Sequence, residues 1–487
     1  MAESKPRPIP HIPGQKRVPL GTKITWGFGG LADNFMFNTL TALGTLVYVN
    51  HFGLSPALAG LALAFPRLID AFTDPWIGNL SDNAKTRFGR RRPFMLFGVI
   101  ACVVLLPLLW TVPGVETATN PWYSNLPFLY VCFIGSMLAI AYTLFVVPYT
   151  ALGFELTPDY DERTRTLVWR MYIGLAGSLG AGWLFRIASE ERWFPDLGVG
   201  AFWVTVGVSI IVLVAGMIPV IGCREDLEIK RQEPIRLIPA IRYSMTNRPF
   251  VILFVSYIFI IVALFAAQGI LPLLLQHHVF GGSAAKVGTY TGIVGTMAVA
   301  LSYASMIILT IISVRTNKRV AMIVGLSLVL AGTFMNYFAI DPRWPWALYV
   351  AAFVTFLGMQ GCWLMVSSMV ADVCDDDELR SDRRREGMFS AAIGFGLKAA
   401  QGVTFGVGGY LATRAGFDPA IVAESGLAED VAWRMKALLI GFQALGLIIA
   451  IYLMTRYPIT RSQAEETQRK LKERADNALA AKNNAPS

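Results

Sequence analysis

Apolar residues run through this chain in twelve long blocks separated by short polar connections. The blocks cover about residues 24–50, 54–80, 94–112, 127–153, 168–190 and 200–222. After a longer polar stretch come 249–275, 288–314, 320–340, 346–373, 388–415 and 433–456. Each is long enough to cross roughly 30 Å of hydrocarbon, which takes about 20 residues as a helix. A helix satisfies its own backbone donors and acceptors, and hydrocarbon offers no water to do so instead. The pattern therefore predicts an all-α membrane protein with twelve transmembrane helices.

Composition agrees with the pattern. Hydrophobic residues make up 54% of the 487 and charged residues only 15%, against about 25% charged in soluble domains; the mean hydropathy is +0.51. A soluble enzyme, a coiled coil and a disordered chain are all excluded. Lys and Arg number 42 and Asp and Glu 33. On a soluble protein that excess would suggest nucleic acid, but here the basic residues gather at the connections. On the N-terminal tail's side, 33 lie in or beside them; 7 lie on the opposite side, and Arg67 and Lys398 fall inside spans. By the positive-inside rule both termini are expected in the cytoplasm. Trp110, Trp122, Trp193, Trp344 and Trp346 sit at the opposite connections, where an interfacial aromatic belt is expected. The N-terminal stretch MAESKPRPIPHIPGQKR is polar and Pro-rich and does not read as a signal peptide.

The domains expected are a tail over 1–23, a six-helix bundle over 24–222, a central loop over 223–248, a second bundle over 249–456 and a tail over 457–487. The last tail, after Arg461, is expected to be a solvated charged helix or a disordered end. Mixed-charge stretches after the fourth and tenth spans, PDYDERTRT and DDDELRSDRRREG, suggest a duplicated six-helix unit. The five cysteines and four histidines show no metal spacing, and His277 with His278 reads as a surface pair. Glycines concentrate in the first and eleventh spans, as close helix contact would require.

Ionisable residues inside a span are costly and point to function. The second span holds PRLIDAFTDPWIGNLSD, in which Asp70 and Asp74 share a helix face with Arg67. Two close carboxylates can ligate Na⁺ or hold a proton. The competing structural reading is an ion-paired hinge, with Pro75 and Gly78 breaking the helix and Asp74 capping the loop. Lys398, among Gly, Ala and Leu, needs an acidic partner, with Asp70 or Asp74 the obvious choice. The turn KTRFGRRRP brings Arg90, Arg91 and Arg92 near acids such as Asp82 and reads as a gate. Asp372, Asp375, Asp376 and Asp377, facing Arg383 to Arg385, read as a second gating network.

Asp-Ala-x-x-Asp-Pro-x-x-Gly at Asp70, followed by Gly-Arg-Arg-Arg-Pro-Phe, resembles the glycoside–pentoside–hexuronide:cation symporters, the melibiose permease-like family of the major facilitator superfamily. WGFGGLADNF, YTLFVVPYTALGFEL, ADVCDDDE and REGMFS, in that order, extend the resemblance over most of the chain. It implies two six-helix bundles rocking about a central site, with Na⁺, H⁺ or Li⁺ driving sugar entry. It further implies Asp70, Asp74, Thr143 and Thr73 at the cation site and Lys398 with Arg67 in coupling. Asp33, Asn34, Arg170, Tyr149 and Thr150 would line the solute site. The type member has aspartates where this chain has Asn34 and Val146, an aromatic at Thr150 and an asparagine at Thr73, so a galactoside specificity does not carry across.

The reading is a secondary active symporter for a sugar, glycoside or related solute, in the bacterial inner membrane. It is not an enzyme, needs no cofactor beyond Na⁺ or H⁺ as coupling ion, binds no nucleic acid, touches membrane lipid and acts as a monomer. Cation-coupled transport of a lysophospholipid-like or other amphiphilic solute is the alternative, with a membrane-embedded transferase behind it.

Overall fold

A computed structural model describes residues 18–84, 86–157, 160–223, 237–381 and 385–483. The twelve helices that match the apolar blocks begin with α1 (Leu20–Asn50), α2 (Pro56–Asn83), α3 (Arg92–Leu108), α4 (Leu126–Glu155), α5 (Tyr160–Ala188) and α6 (Leu197–Gly222). They continue as α7 (Arg248–Leu274), α8 (Ala284–Arg315), α9 (Lys318–Ala339), α10 (Ala347–Ser381), α11 (Glu386–Arg414) and α12 (Glu429–Thr455). Side-chain caps fix several starts. Ser55 accepts from Leu58 N at 3.4 Å, Asn125 from Phe128 N at 3.0 Å and Asn317 from Val320 N at 2.7 Å, satisfying amides that the first turn leaves free.

Two boundaries move well beyond the apolar blocks. α5 begins at Tyr160 and α10 runs to Ser381, because charged stretches continue a helix once it has left the hydrocarbon. Asp375, Asp376 and Asp377 therefore stand on a helix, while Arg383 and Arg384 lie outside the described residues. α2 likewise runs unbroken through Pro66 and Pro75 to Asn83, so the break at Pro75 and Gly78 that the hinge reading requires does not occur. Membrane helices tolerate such prolines when neighbours re-satisfy the freed carbonyl.

Among the described residues, eight of these helices are long and apolar enough to cross a membrane by hydropathy alone, and α3 is apolar but shorter. α1, α5 and α11 are as long but less apolar. They carry Asp33, Asn34, Arg170 and Lys398, so they give up hydropathy for polar groups.

α1 packs on α5 and α6, α2 on α4, and α3 on α4 and α6. In the second half α7 packs on α11 and α12, α9 on α10 and α12, and α8 on α10. The two six-helix bundles meet mainly along α2–α11 and α5–α8. Call the end of the molecule where α2 stops and α3 begins the basic end, and its opposite the far end. Glycine brings the halves together toward the far end. A methyl at Gly60 would lie 2.5 Å from the Phe405 carbonyl oxygen, and one at Gly409 would overlap the Pro56 carbonyl. Gly182 faces Gly295 in the same way on α5 and α8. Polar bonds add to this seal, Thr45 donating to Gln268 O at 3.1 Å and Asn50 to Gln276 at 2.8 Å. Toward the basic end the contacts between halves become side-chain ones, such as Phe72 with Phe395 and Tyr172 with Tyr303.

Two surface expectations change. Trp110 is buried and stacked on Tyr48, whereas Trp122, Trp193, Trp344 and Trp346 are exposed. His277 is half-buried and meets Asn50 at 3.0 Å, across the two halves. The C-terminal tail is a charged helix (Arg461–Asn483) at the basic end, its described side chains mostly exposed, in line with the solvated helix expected there. Arg461 donates to the Val314 carbonyl and Gln468 to Asp375.

Candidate functional site

The spacing of α2 sets the first half of the site. Arg67, Asp70 and Asp74 stand one turn apart on one face, which α2 turns toward α4 and α11. Asp70 is 1% exposed and lies 3.4 Å from the Arg67 guanidinium. Arg67 also reaches the Phe37 carbonyl at 3.4 Å and lies over the Phe37 ring at 4.2 Å. Thr143 of α4, fully buried, is 3.2 Å from Asp70 Oδ1 and 3.0 Å from Asp74 Oδ1. Thr73 is 3.4 Å from the same hydroxyl and donates to Ile69 O at 3.1 Å. Lys398 of α11 pairs with Asp74, not Asp70. The result is one continuous row, Arg67–Asp70–Thr143–Asp74–Lys398, and its last link joins the two bundles.

A second cluster stands beside it. Asp33 of α1 accepts from the Tyr142 hydroxyl at 2.7 Å and pairs with Arg170 of α5 at 3.0 Å. Arg170, counted with the basic connections in sequence, is nearly three turns inside α5. Its guanidinium lies 5.1 Å from the Tyr149 ring and 5.7 Å from the Trp26 ring. Asn34 accepts from Ser178 at 2.7 Å and donates to Gly30 O at 2.9 Å. Tyr149 is fully buried and its hydroxyl donates to the Trp26 carbonyl at 2.8 Å. Its ring stands behind the Arg170 guanidinium. Thr150, the next residue, is half-buried.

The two clusters are joined through adjacent residues, for Tyr142 holds Asp33 while Thr143 bridges Asp70 and Asp74. Sequence reasoning found Thr143 but missed Tyr142 and Ser178. Tyr142 begins the quoted stretch YTLFVVP, so its position was visible although its partner was not.

At the basic end Arg91 pairs with Asp82 at 2.6 Å and with Glu155 at 2.9 Å, and Arg90 with Glu155 at 2.7 Å. Glu155 went unnoticed in the sequence. Arg92 donates to the carbonyls of Val220 and Ile221 at 2.6 and 3.2 Å, closing the end of α6. Asp372 pairs with Lys318 at 2.7 Å, across the start of α9. Asp377 is 3.9 Å from Arg385 and accepts from Tyr243 at 2.8 Å. Burial first, then the bond to Asp377, push the Tyr243 hydroxyl above its ordinary range. Glu155 with Arg91 and Asp372 with Lys318 occupy matching places in the two halves: the end of the fourth helix against the start of the third. This is a plainer trace of duplication than the loops gave.

Asp70, Asp74, Thr143 and Thr73 offer hard oxygens, the donor set that suits Na⁺, and the same carboxylates can take a proton. Among the described residues no group of three or more His, Cys, Asp or Glu could hold a metal ion.

The model of the MFS/sugar transport protein family matches residues 25–461. The isoprimeverose transporter of Lactiplantibacillus pentosus is 25% identical over 82% of this chain and 82% of its own length. The glucuronide carrier protein homologue of Escherichia coli K12 is 24% identical over 91% and 94%. Among solved structures, a D-xylose–proton symporter superposes with a TM-score of 0.65 at 14% identity, covering 90% of this chain and 98% of that one.

Proposed function

The chain belongs to the MFS/sugar transport protein family, the glycoside–pentoside–hexuronide:cation symporters that its motifs resemble, and from that premise we propose a cation-coupled symporter for a sugar or sugar-like solute. It is a multi-pass membrane protein. The basic end faces the cytoplasm of a bacterial cell, and the solute crosses by alternating access. One observation carries the coupling: the Thr143 hydroxyl lies between Asp70 and Asp74, while Lys398 from the other bundle rests on Asp74. A cation entering there meets two carboxylates and two hydroxyls. It must compete with the Lys398 ammonium for Asp74, so ion occupancy loosens the link between bundles. The solute is received beside it, at Asp33, Asn34, Ser178 and Arg170. These groups suit hydroxyls and a polar ring better than an acyl chain, which favours a sugar over a lysophospholipid-like amphiphile.

The far end is sealed by glycine contacts, whereas the Asp74 and Lys398 side chains keep 27% and 24% of their surface exposed. This supports a conformation in which the site opens to the basic end. Asp70→Asn tests the reading. It keeps size and polarity but removes the charge that binds the ion, so gradient-driven accumulation of sugar in proteoliposomes should disappear while membrane insertion remains. Accumulation undiminished in the variant would make Asp70 structural and overturn the mechanism.

A further inference from the structure

The far end is closed by a polar clamp as well as by glycine. α7 runs on into one turn of π-helix, Leu275–Val279, a wider turn that is often found at functional positions. Two consecutive residues of that turn take the two ends of one amide in the other half. Asn50, the last residue of α1, donates from Nδ2 to Gln276 Oε1 at 2.8 Å, and its Oδ1 lies 3.0 Å from His277 Nε2. Gln276 is itself held in place. Its Nε2 donates to Gly282 O at 3.3 Å, while Gly282 N donates to Gln276 O at 2.7 Å. With Asn50 so oriented, His277 is the donor in its bond. Nε2 therefore carries a proton, and Nδ1 is the atom left to titrate.

The surroundings give a charged ring little help. His277 is half-buried, and the Phe417 ring stands 5.7 Å from it, edge to face. The charged groups of the neighbouring elements have other partners. His51, next to Asn50, lies 3.5 Å from Asp196 at the start of α6. Past α11, Arg414 lies over the Tyr410 ring and Asp418 accepts from Ala420 N, while on α12 Arg434 pairs with Asp430. His278 faces Lys436, Asp341 and Glu429, all within the second half. Among the described histidines, His277 alone is bonded across the two halves.

We propose that His277 is a proton-sensitive latch on the far end: a second proton on its ring loosens the clamp on Asn50 and favours the conformation open there. The sign follows from solvation. Closing the seam takes water from the ring, which disfavours the imidazolium, and opening returns it. The ring thus binds its second proton more weakly when the far end is closed, and by linkage acid favours the open form. This proton stays at the gate and is not the coupling ion. The inference goes beyond the symport reading but rests on its alternating access: acid outside the cell would favour the form that collects cation and solute there.

The test reads opening of the far end without any solute. In right-side-out vesicles holding the full chain, a cysteine replaces Thr413, whose hydroxyl meets Ala57 N across the seam. It is labelled from the far side with an impermeant thiol reagent at about pH 7.5 and about pH 5.5, values that bracket an ordinary histidine. The native cysteines are buried or half-buried, and the parent without the new cysteine gives their background. Each rate is divided by that of the same protein carrying His277→Gln, which keeps a donor for Asn50 but cannot titrate. The pH dependence of the thiol, and of Asp70 and Asp74, is common to both chains and cancels. Acid should raise the quotient about two- to threefold, the effect of roughly half a pKa unit between closed and open forms. His277→Lys carries a fixed charge and should label fast at both pH values. Asn50→Asp gives the imidazolium a carboxylate across the seam, so acid should now close the far end and slow labelling. A quotient that does not change with pH overturns the proposal, as does an acid-driven rise that persists undiminished in Asn50→Asp. The reversal in Asn50→Asp decides the matter even where His277→Gln does not fold. A failure of sugar uptake would sink the symport reading and leave the latch standing.

Discussion

Thr143 is the smallest group on which the site depends. Its single hydroxyl stands 3.2 Å from Asp70 and 3.0 Å from Asp74, in a place closed to water. Thr143→Val keeps the shape and removes the oxygen. A hydrogen bond to a charged group contributes about 1.5–3 kcal/mol, so the apparent affinity for the coupling cation should fall roughly 10- to 150-fold. The cation dependence of uptake measures this, and a change below threefold would remove Thr143 from the ion's coordination. The acids were legible in the sequence because a charge in an apolar block stands out and a four-residue spacing fixes a common helix face. Tyr142, Ser178 and Glu155 were not. Each is an ordinary residue for its helix, and only a partner more than 60 positions away in the chain, Asp33, Asn34 or Arg90, makes it functional. The choice of Asp74 over Asp70 for Lys398 was illegible for the same reason.

At the scale of the helix, the twelve spans could be read from hydropathy because burial in hydrocarbon imposes one length and one polarity. The ends could not, since charged helix formers carry α5 and α10 past the apolar blocks. Nor could the contact between halves, because a glycine cluster signals close approach without naming the surface it approaches. The structure assigns Gly60 and Gly409 to the α2–α11 seam, where a methyl at Gly409 would overlap the Pro56 carbonyl. Gly409→Ala should therefore push these helices apart at the far end and favour the conformation open there. We expect turnover to fall several-fold. A cysteine placed at Thr413, whose hydroxyl accepts from Ala57 N at 3.1 Å, should react faster with an impermeant thiol reagent added from the far side. Unchanged labelling would mean that the seam absorbs the methyl locally and does not govern opening.

The whole molecule is two bundles of like construction, and the orientation proposed for it rests on where the basic residues lie. Reporter fusions at Ser487 and between Gly281 and Gly282, a turn just before α8, should report opposite sides of the membrane. The same side for both would refute the twelve-span arrangement. Between the bundles, one ion pair stands at the depth of the cation site, Lys398 with Asp74. Removing one partner of such a pair leaves the other charge in a poorly hydrated place, which costs more than removing both. Lys398→Ala and Asp74→Asn should each lower the thermal stability of the purified protein, and the double variant should recover part of the loss. The coupling energy expected for groups in direct contact is about 0.5–3 kcal/mol. Stability is the readout to use, because all three variants lose ion coupling and transport cannot separate them. Added Na⁺ sharpens the test. In the parent the cation and Lys398 compete for Asp74, so Na⁺ should weaken the link between bundles while stabilising the site. In Lys398→Ala that competition is gone, and Na⁺ should stabilise the protein more than it does the parent. Strictly additive losses, with equal Na⁺ effects in parent and variant, would show that the pair is a passive tie and that ion binding reaches the bundles by another route.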